Sequence, residues 1–190
     1  MAMPLDVSSQ GSRRWTAADL ERLPDDGNRY EVVDGELLVT PAPSRYHQRA
    51  VTQLGADLIA YFGARGRFDV LVAPADVAFA EDSLVQPDVL VTPVPDAGAV
   101  SDEIRGLLLA VEVLSPSSAR ADRQVKRRLY QREAVPEYWI VDLDARLIER
   151  WRPDDVRPEV AEAQLEWMPP GFDRPFVLDV ADLFARVWRD

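Results

Sequence analysis

Residues 107–143 read LLLAVEVLSPSSARADRQVKRRLYQREAVPEYWIVDL, and this stretch decides the fold. The run Leu107–Leu114 is hydrophobic on both faces, which is the pattern of a central buried strand, and Glu137–Leu143 is a second β-prone run. Between them, Pro116-Ser117-Ser118 supplies a break and a hydroxyl N-cap for a helix over about Ala119–Glu133. A helix that joins two strands in this way predicts a βαβ crossover inside a mixed sheet.

The sequence on either side of this unit predicts further strands and helices. Asp34-Gly35 lies between two β-prone runs and predicts a hairpin, with Tyr30, Val32, Leu37 and Val39 facing inward and Glu31 on the opposite face. The remaining predicted elements are a short helix after Thr16, a helix over Tyr46–Phe62, strands at Asp69–Ala80, Leu84–Thr92, Arg146–Trp151 and Phe176–Leu178, and a closing helix with Leu183, Phe184 and Val187. We therefore expect a mobile tail over residues 1–14 and a single α/β (α+β) domain over residues 15–190.

Composition excludes several classes of site. The chain has no cysteine and one histidine, so it has no disulfide or thiolate site, and any metal must be held mainly by oxygen. No apolar run approaches the roughly 18–20 residues of a membrane span, and the N-terminus lacks an apolar signal-peptide core. We therefore expect a cytoplasmic protein with no membrane partner.

The formal net charge of −11 argues against indiscriminate binding to nucleic acid. A local basic surface is still present, because Ala119–Glu133 carries six Lys and Arg residues against Asp122 and Glu133, which gives 6 − 2 = +4. Within this basic segment, Arg123 and Arg127 share one stripe of the predicted helix. They are the candidate nucleic-acid contacts.

Lys126 is the one lysine among 22 Lys and Arg residues, so the other 21 are arginine. On an α-helix it shares a stripe with Asp122 and Tyr130, at spacings of four residues, which directs it toward the sheet rather than bulk solvent. A lysine offers a compact charge, three rotatable donors and a pKa that burial can change. The alternatives are a chance survivor on a solvated helix face and a surface ion pair with Asp122.

Two carboxylates interrupt apolar strands. Asp88 follows Pro87, and Glu112 lies inside the central run. A buried, unpaired carboxylate costs several kcal/mol, so it should be protonated, paired or bound to metal. Because Mg²⁺ prefers one or two carboxylates with waters and phosphate, two acids on neighbouring strands predict a cation site. The alternative is that Asp88 forms a turn and Glu112 pairs with an arginine.

Taken in order, these residues resemble a known family. The ordered string is Gln86-Pro87-Asp88, Val111-Glu112-Val113-Leu114-Ser115, Asp122, Lys126, Tyr130 and Val135–Asp142. It is similar to the Uma-two family of restriction-endonuclease-like proteins, within the PD-(D/E)XK nuclease superfamily. The resemblance covers roughly Trp15–Trp151 and implies a central mixed sheet flanked by helices.

The resemblance also implies the chemistry of a metal-dependent endonuclease acting on DNA. Asp88 and Glu112, with Val113 among the ligands, would hold Mg²⁺ or Mn²⁺. The superfamily places a lysine two residues after the glutamate, where this chain has Leu114. Lys126 on the next helix is the candidate replacement. Glu31 would be a third acidic catalytic residue or an exposed strand carboxylate. His47 would assist proton transfer, contact phosphate or have a purely structural role.

Two other functions stay open at this stage. Leu114 and the net charge favour a catalytically inactive nuclease-fold module for nucleic-acid or protein interaction. The acidic surface also allows assembly with a basic partner, or homodimerisation through the sheet edge Tyr138–Trp151.

Overall fold

The computed structural model describes residues 13–63, 67–95 and 104–189. The predicted tail lies outside the described residues, apart from Arg13 and Arg14. The elements follow in the order α1 (Ala17–Leu20), β1 (Arg29–Val33), β2 (Glu36–Thr40), α2 (Arg45–Phe62), β3 (Phe68–Val72), β4 (Val77–Ala80), β5 (Ser83–Val85), β6 (Val89–Pro93), β7 (Leu109–Val113), a π-helical segment (Ala121–Lys126), α3 (Arg127–Arg132), β8 (Glu137–Asp142), β9 (Leu147–Trp151), β10 (Glu159–Ala161), β11 (Gln164–Trp167), β12 (Phe176–Asp179) and α4 (Val180–Trp188).

A mixed sheet lies at the centre of the fold, with the order β10-β9-β8-β7-β6-β3 among the described strands. β7 and β8 are parallel, and Leu109 pairs with Glu137. The other neighbouring pairs are antiparallel. The π-helical segment and α3 connect β7 to β8, so the predicted βαβ crossover is confirmed. The predicted fold class, a central mixed sheet flanked by helices, is confirmed as well.

Residues along the central strands alternate between two hydrophobic cores, because successive side chains point to opposite faces. Val111 and Trp139 belong to a core that includes buried residues of α2, α4, β11 and β12. Ala110 and Tyr138 belong to a second core, formed with α3 and the hairpin β1–β2. Glu112 has the same phase as Ala110, so its side chain points toward this second core.

The predicted hairpin is present and Val32 is buried as predicted, but Glu31 and Val39 depart from the prediction. Asp34 and Gly35 have φ values of 51° and 79°, the left-handed pair that a two-residue type I′ turn requires. Glu31 is completely buried, whereas Val39 is 41% exposed. The prediction that Val39 faces inward and Glu31 outward was therefore wrong. The prediction used hydrophobicity alone, which favours an exposed position for Glu31. In the structure, buried Lys126 pairs with Glu31 and stabilises it in the interior.

Two predicted strands each correspond to two shorter strands in different sheets. Asp69–Ala80 contains β3 of the central sheet and β4 of a smaller sheet with the order β2-β1-β5-β4. Leu84–Thr92 contains β5 of the smaller sheet and β6 of the central sheet. Pro87, which has no N–H for a strand ladder, lies between β5 and β6. Asp88 therefore lies at the point where the chain passes from one sheet to the other.

The strand β10, which follows β9 in the chain, covers the edge that was predicted at Tyr138–Trp151. β9 does not form a free edge, because Ile148–Arg150 pairs with all three residues of β10. A homodimer through the edge Tyr138–Trp151 would have to displace β10, so this surface was wrongly predicted as open. β10 and β11 were missed because they lie in and beside a proline-rich stretch. None of the helices in the described ranges has the length and apolarity needed to cross a bilayer.

Candidate active site

Asp88 directly precedes β6, and Glu112 lies in β7, the neighbouring strand. Val89 of β6 pairs with Val111 of β7 in antiparallel register, so the residues next to them, Asp88 and Glu112, lie at the same end of this strand pair. Both acids are buried, at 2% and 1% exposure. Val113, a predicted metal ligand, donates its main-chain N–H to Asp88 Oδ2 at 2.8 Å.

Lys126 reaches this pair from the following helix. Its Nζ lies 3.0 Å from Glu112 Oε1, 2.7 Å from Glu31 Oε2 and 3.6 Å from Asp122 Oδ1. The lysine is 2% exposed, so neither a solvated helix face nor a surface pair with Asp122 describes it. An ammonium therefore contacts Glu112, although the residue two positions after this glutamate, Leu114, is apolar.

The local helix geometry accounts for this approach. Ala121–Lys126 is π-helical, a wider turn that often marks functional sites. Asp122, Lys126 and Tyr130 are all buried, as their common stripe predicts. The Tyr130 hydroxyl donates to Glu112 Oε1 at 3.2 Å, and the Tyr138 hydroxyl donates to the Asp122 carbonyl at 3.0 Å. The helix is thereby fixed against the sheet at the level of Glu112.

Glu31 joins the cluster from the hairpin. Its Oε1 accepts the main-chain N–H of Gln86 at 2.7 Å, and its Oε2 faces the Lys126 ammonium. The backbone of the β5–β6 connection thus fixes one oxygen, while the helix supplies a cation to the other. The alternative of an exposed strand carboxylate is wrong for Glu31.

Arg29 and His47 complete the surroundings of Asp88. Arg29 Nη1 donates to Asp88 Oδ1 at 2.7 Å and to the Gln86 carbonyl at 3.0 Å. His47, in the first turn of α2, places Nε2 3.1 Å from Asp88 Oδ2. Arg29 was not among the residues predicted from the sequence. The period-two spacing of Arg29 and Glu31 could have identified it, once Glu31 was recognised as facing inward.

The buried groups carry a net negative charge. Four carboxylates (Glu31, Asp88, Glu112 and Asp122) face two permanent cations (Arg29 and Lys126), so the formal charge with all four acids ionised, leaving out His47, is −4 + 2 = −2. Both oxygens of Asp122 are buried without a hydrogen-bond partner among the described residues. A divalent cation would balance this charge.

The pKa shifts within the cluster have opposite directions. Burial raises the pKa of Asp88, but the His47 hydrogen bond and the Arg29 charge outweigh burial and lower it to about 2. Burial raises the pKa of Glu112 well above its ordinary value, although Lys126 opposes this, and burial also raises the pKa of Asp122. Burial lowers the pKa of Lys126, but the charges of Glu112, Glu31 and Asp122 raise it overall. Lys126 is therefore held as an ammonium.

The donor set fits a hard divalent cation in its chemistry. All four acids offer oxygen, which Mg²⁺ and Mn²⁺ prefer, and the cluster has an excess of two negative charges. No group of three or more His, Asp or Glu side chains within residues 13–63, 67–95 and 104–189 is arranged to hold a metal ion. Instead, Arg29, His47 and the Val113 N–H contact Asp88. Both oxygens of Asp88 are therefore engaged by protein groups.

A cleft of about 750 Å³ opens beside Asp88. Arg29, His47 and Asp88 line it, together with the turn Ser115–Ser118 and Trp188 of α4. Glu31, Glu112 and Lys126 are not among its lining residues and lie behind Asp88. A molecule in the cleft would therefore meet Asp88, His47 and Arg29 first.

The predicted nucleic-acid contacts Arg123 and Arg127 interact with residues outside the cluster of Glu31, Asp88, Glu112 and Asp122. Arg123 donates to Asp142 Oδ2 and to Glu149 Oε1, each at 2.7 Å, although it also lines the cleft. The Arg127 guanidinium lies 4.6 Å from the ring centroid of Trp151. Both arginines are thus engaged with β8 or β9, and their contact with nucleic acid stays a prediction.

Comparison with known proteins identifies a family and a shared fold. The Uma2 family model, described as "Putative restriction endonuclease", matches residues 17–181. The chain is also similar to a solved structure from Anabaena variabilis, described as a "putative nuclease belonging to DUF820", with a TM-score of 0.74 and 18% identity over 91% of this chain and 99% of that chain. At this identity, the likeness shows a shared fold. None of the curated proteins matches the chain.

Proposed function

Because this chain belongs to the Uma2 family, described as "Putative restriction endonuclease", we propose that it is a metal-dependent endonuclease that hydrolyses phosphodiester bonds in DNA. The observation that carries the proposal is the contact of Lys126 Nζ with Glu112 Oε1 at 3.0 Å. Lys126, on the helix that follows β7, thereby supplies Glu112 with a cation. Leu114, two residues after Glu112, cannot do so.

The acids and the lysine have separate tasks in this proposal. Asp88 and Glu112 are the ligands for Mg²⁺ or Mn²⁺, which would polarise the phosphate and lower the pKa of the attacking water. Lys126 orients that water or offsets the negative charge that develops on the phosphate. Glu31 holds Lys126 in place through the 2.7 Å contact with Nζ. His47 fixes the orientation of the Asp88 carboxylate from the cleft side.

The first test is a cleavage assay with supercoiled plasmid, linear duplex and single-stranded DNA in Mg²⁺ or Mn²⁺. The parent should cleave at least one of them, and Asp88→Asn and Glu112→Gln should not. Lys126→Arg keeps the charge but changes its shape and donors, so cleavage should fall about 100-fold or more. Arg132→Gln is the matched control, because Arg132 forms an exposed pair with Asp34 outside the cluster. Absence of cleavage by the parent, or full cleavage by Lys126→Arg, would contradict the mechanism.

A second candidate function is a nuclease-fold module without turnover. The engagement of both Asp88 oxygens by Arg29, His47 and Val113 favours it, since a metal would have to replace such contacts. Calorimetric titration with Mn²⁺ separates the two functions. The enzyme requires Mn²⁺ binding that Asp88→Asn abolishes, whereas the module predicts none.

A further inference from the structure

Arg29 connects the buried acids with the cleft. Its Nη1 donates to Asp88 Oδ1 at 2.7 Å, and its Nε lies 3.8 Å from Glu31 Oε2. Its side chain is 19% exposed and lines the cleft. The same side chain can therefore contact either the acid cluster or a molecule in the cleft.

Arg29 supplies the permanent positive charge that pairs with Asp88. A guanidinium stays protonated in proteins, so Arg29 cannot lose its charge to make room for another cation. With its four acids ionised, the buried cluster has a formal charge of −2 with Arg29 in place and −3 without it, by the sum −4 + 1. A divalent cation that binds Asp88 Oδ1 would meet the Arg29 guanidinium, whose Nη1 lies 2.7 Å from the same oxygen, so the two positive charges compete for it.

Displacement would release the N–H that Arg29 donates to Asp88 and leave the side chain beside the cleft, where its hydrogen bond to the Gln86 carbonyl at 3.0 Å can hold it. The planar guanidinium presents parallel N–H groups that match two oxygens of a phosphate, which makes arginine well suited to this contact. The substrate of the proposed nuclease is a chain of phosphates that has to approach a net negative site. A cation on the cleft wall would lower that electrostatic cost.

We propose that Arg29 competes with the divalent cation for Asp88 and, once displaced, binds a phosphate of the DNA substrate in the cleft. This inference rests on the proposed nuclease function. It makes Arg29 a substrate-binding residue whose availability depends on the metal.

Mn²⁺ affinity tests the competition without reference to activity. In calorimetric titrations, Arg29→Gln should bind Mn²⁺ at least about tenfold more tightly than the parent, because a positive charge within 3 Å of the ligand oxygen has been removed. Arg29→Lys keeps the charge, so its Mn²⁺ affinity should lie between those of Arg29→Gln and the parent. Arg132→Gln removes a distant arginine and should match the parent. A thermal melt of each variant checks that it folds.

The outcomes separate this inference from the proposed function. Tighter Mn²⁺ binding by Arg29→Gln than by Arg29→Lys and the parent supports it. If the parent binds Mn²⁺ through Asp88 but Arg29→Gln binds no more tightly, the inference is wrong and the proposed metal site stands. If neither binds Mn²⁺, both are wrong.

Binding of a fluorescein-labelled DNA duplex tests the second half. With Ca²⁺ as the cation, Arg29→Gln should lose about tenfold in duplex affinity by fluorescence anisotropy, since one phosphate contact is missing. In EDTA, where Arg29 stays on Asp88, parent and variant should bind alike. Equal duplex affinity of parent and variant in Ca²⁺ would overturn the phosphate contact.

Discussion

Lys126 is the residue on which the buried cluster depends. A bias toward arginine elsewhere in the chain has left one lysine, and it lies among three carboxylates with 2% exposure. A compact ammonium can approach Glu31, Glu112 and Asp122 together, whereas a planar guanidinium needs more room and a fixed direction for each donor. The preference for lysine here follows from the shape of the cavity as well as from its charge.

Stability measurements should distinguish the charge of Lys126 from its shape. Lys126→Met leaves buried carboxylates without their cation and should reduce the free energy of unfolding by about 3–5 kcal/mol. Lys126→Arg keeps the cation but overfills the site, so the loss should be about 1–3 kcal/mol. Urea unfolding in EDTA measures both. Equal stability of the methionine variant and the parent would mean that the ion pairs contribute nothing net.

At the scale of elements, the hairpin β1–β2 decides which acids enter the cluster. Period-two alternation puts Arg29, Glu31 and Val33 on one face, but it does not say which face is buried. The turn Asp34-Gly35 sets the register in which Glu31 pairs with Leu38. Since Leu38 is buried in the second core, Glu31 is held beside it.

Gly35 should therefore be needed for the hairpin. It has φ of +79°, and an added Cβ would lie 3.2 Å from Arg14 side-chain atoms, so Gly35→Ala should cost about 1–2 kcal/mol of unfolding free energy. Gly63→Ala is the matched control, because Gly63 has φ of −60° and its added Cβ would make only an ordinary contact. The free energy of unfolding of Gly63→Ala should rise by about 0.4–1 kcal/mol. Chemical denaturation compares the two, and equal effects would contradict the assigned turn geometry.

For the whole molecule, the central sheet separates two cores and places the acid cluster at the end of one of them. With its four acids ionised, the cluster has a formal charge of −2 inside a chain whose formal net charge is −11. A cation that binds the folded cluster but not the unfolded chain will shift the folding equilibrium toward the folded state. Stability of the entire chain should then report on the proposed metal.

Mn²⁺ should raise the melting temperature of the parent. At a free Mn²⁺ concentration of 100 times its Kd, the free energy of unfolding should rise by about 2.7 kcal/mol. This corresponds to a rise in melting temperature of about 5–10 °C for a chain of this size. Excess EDTA should reverse it, and Asp88→Asn should show little or no shift. Differential scanning calorimetry measures the change. A shift in Asp88→Asn as large as in the parent would place the bound cation elsewhere.

The sequence by itself determined the βαβ unit, the burial of Asp88 and Glu112, and the stripe that directs Lys126 toward the sheet. These features depend on local periodicity: apolar runs mark strands, and spacings of four residues mark one helix face. Tertiary structure alone decided the face of Glu31, the division of two predicted strands between two sheets and the contact of Arg29 with Asp88. That contact joins residues 59 positions apart. Periodicity places Arg29 on the same face as Glu31 but does not name Asp88 as its partner, because the energy that buries a charge comes from that partner and not from its neighbours in sequence.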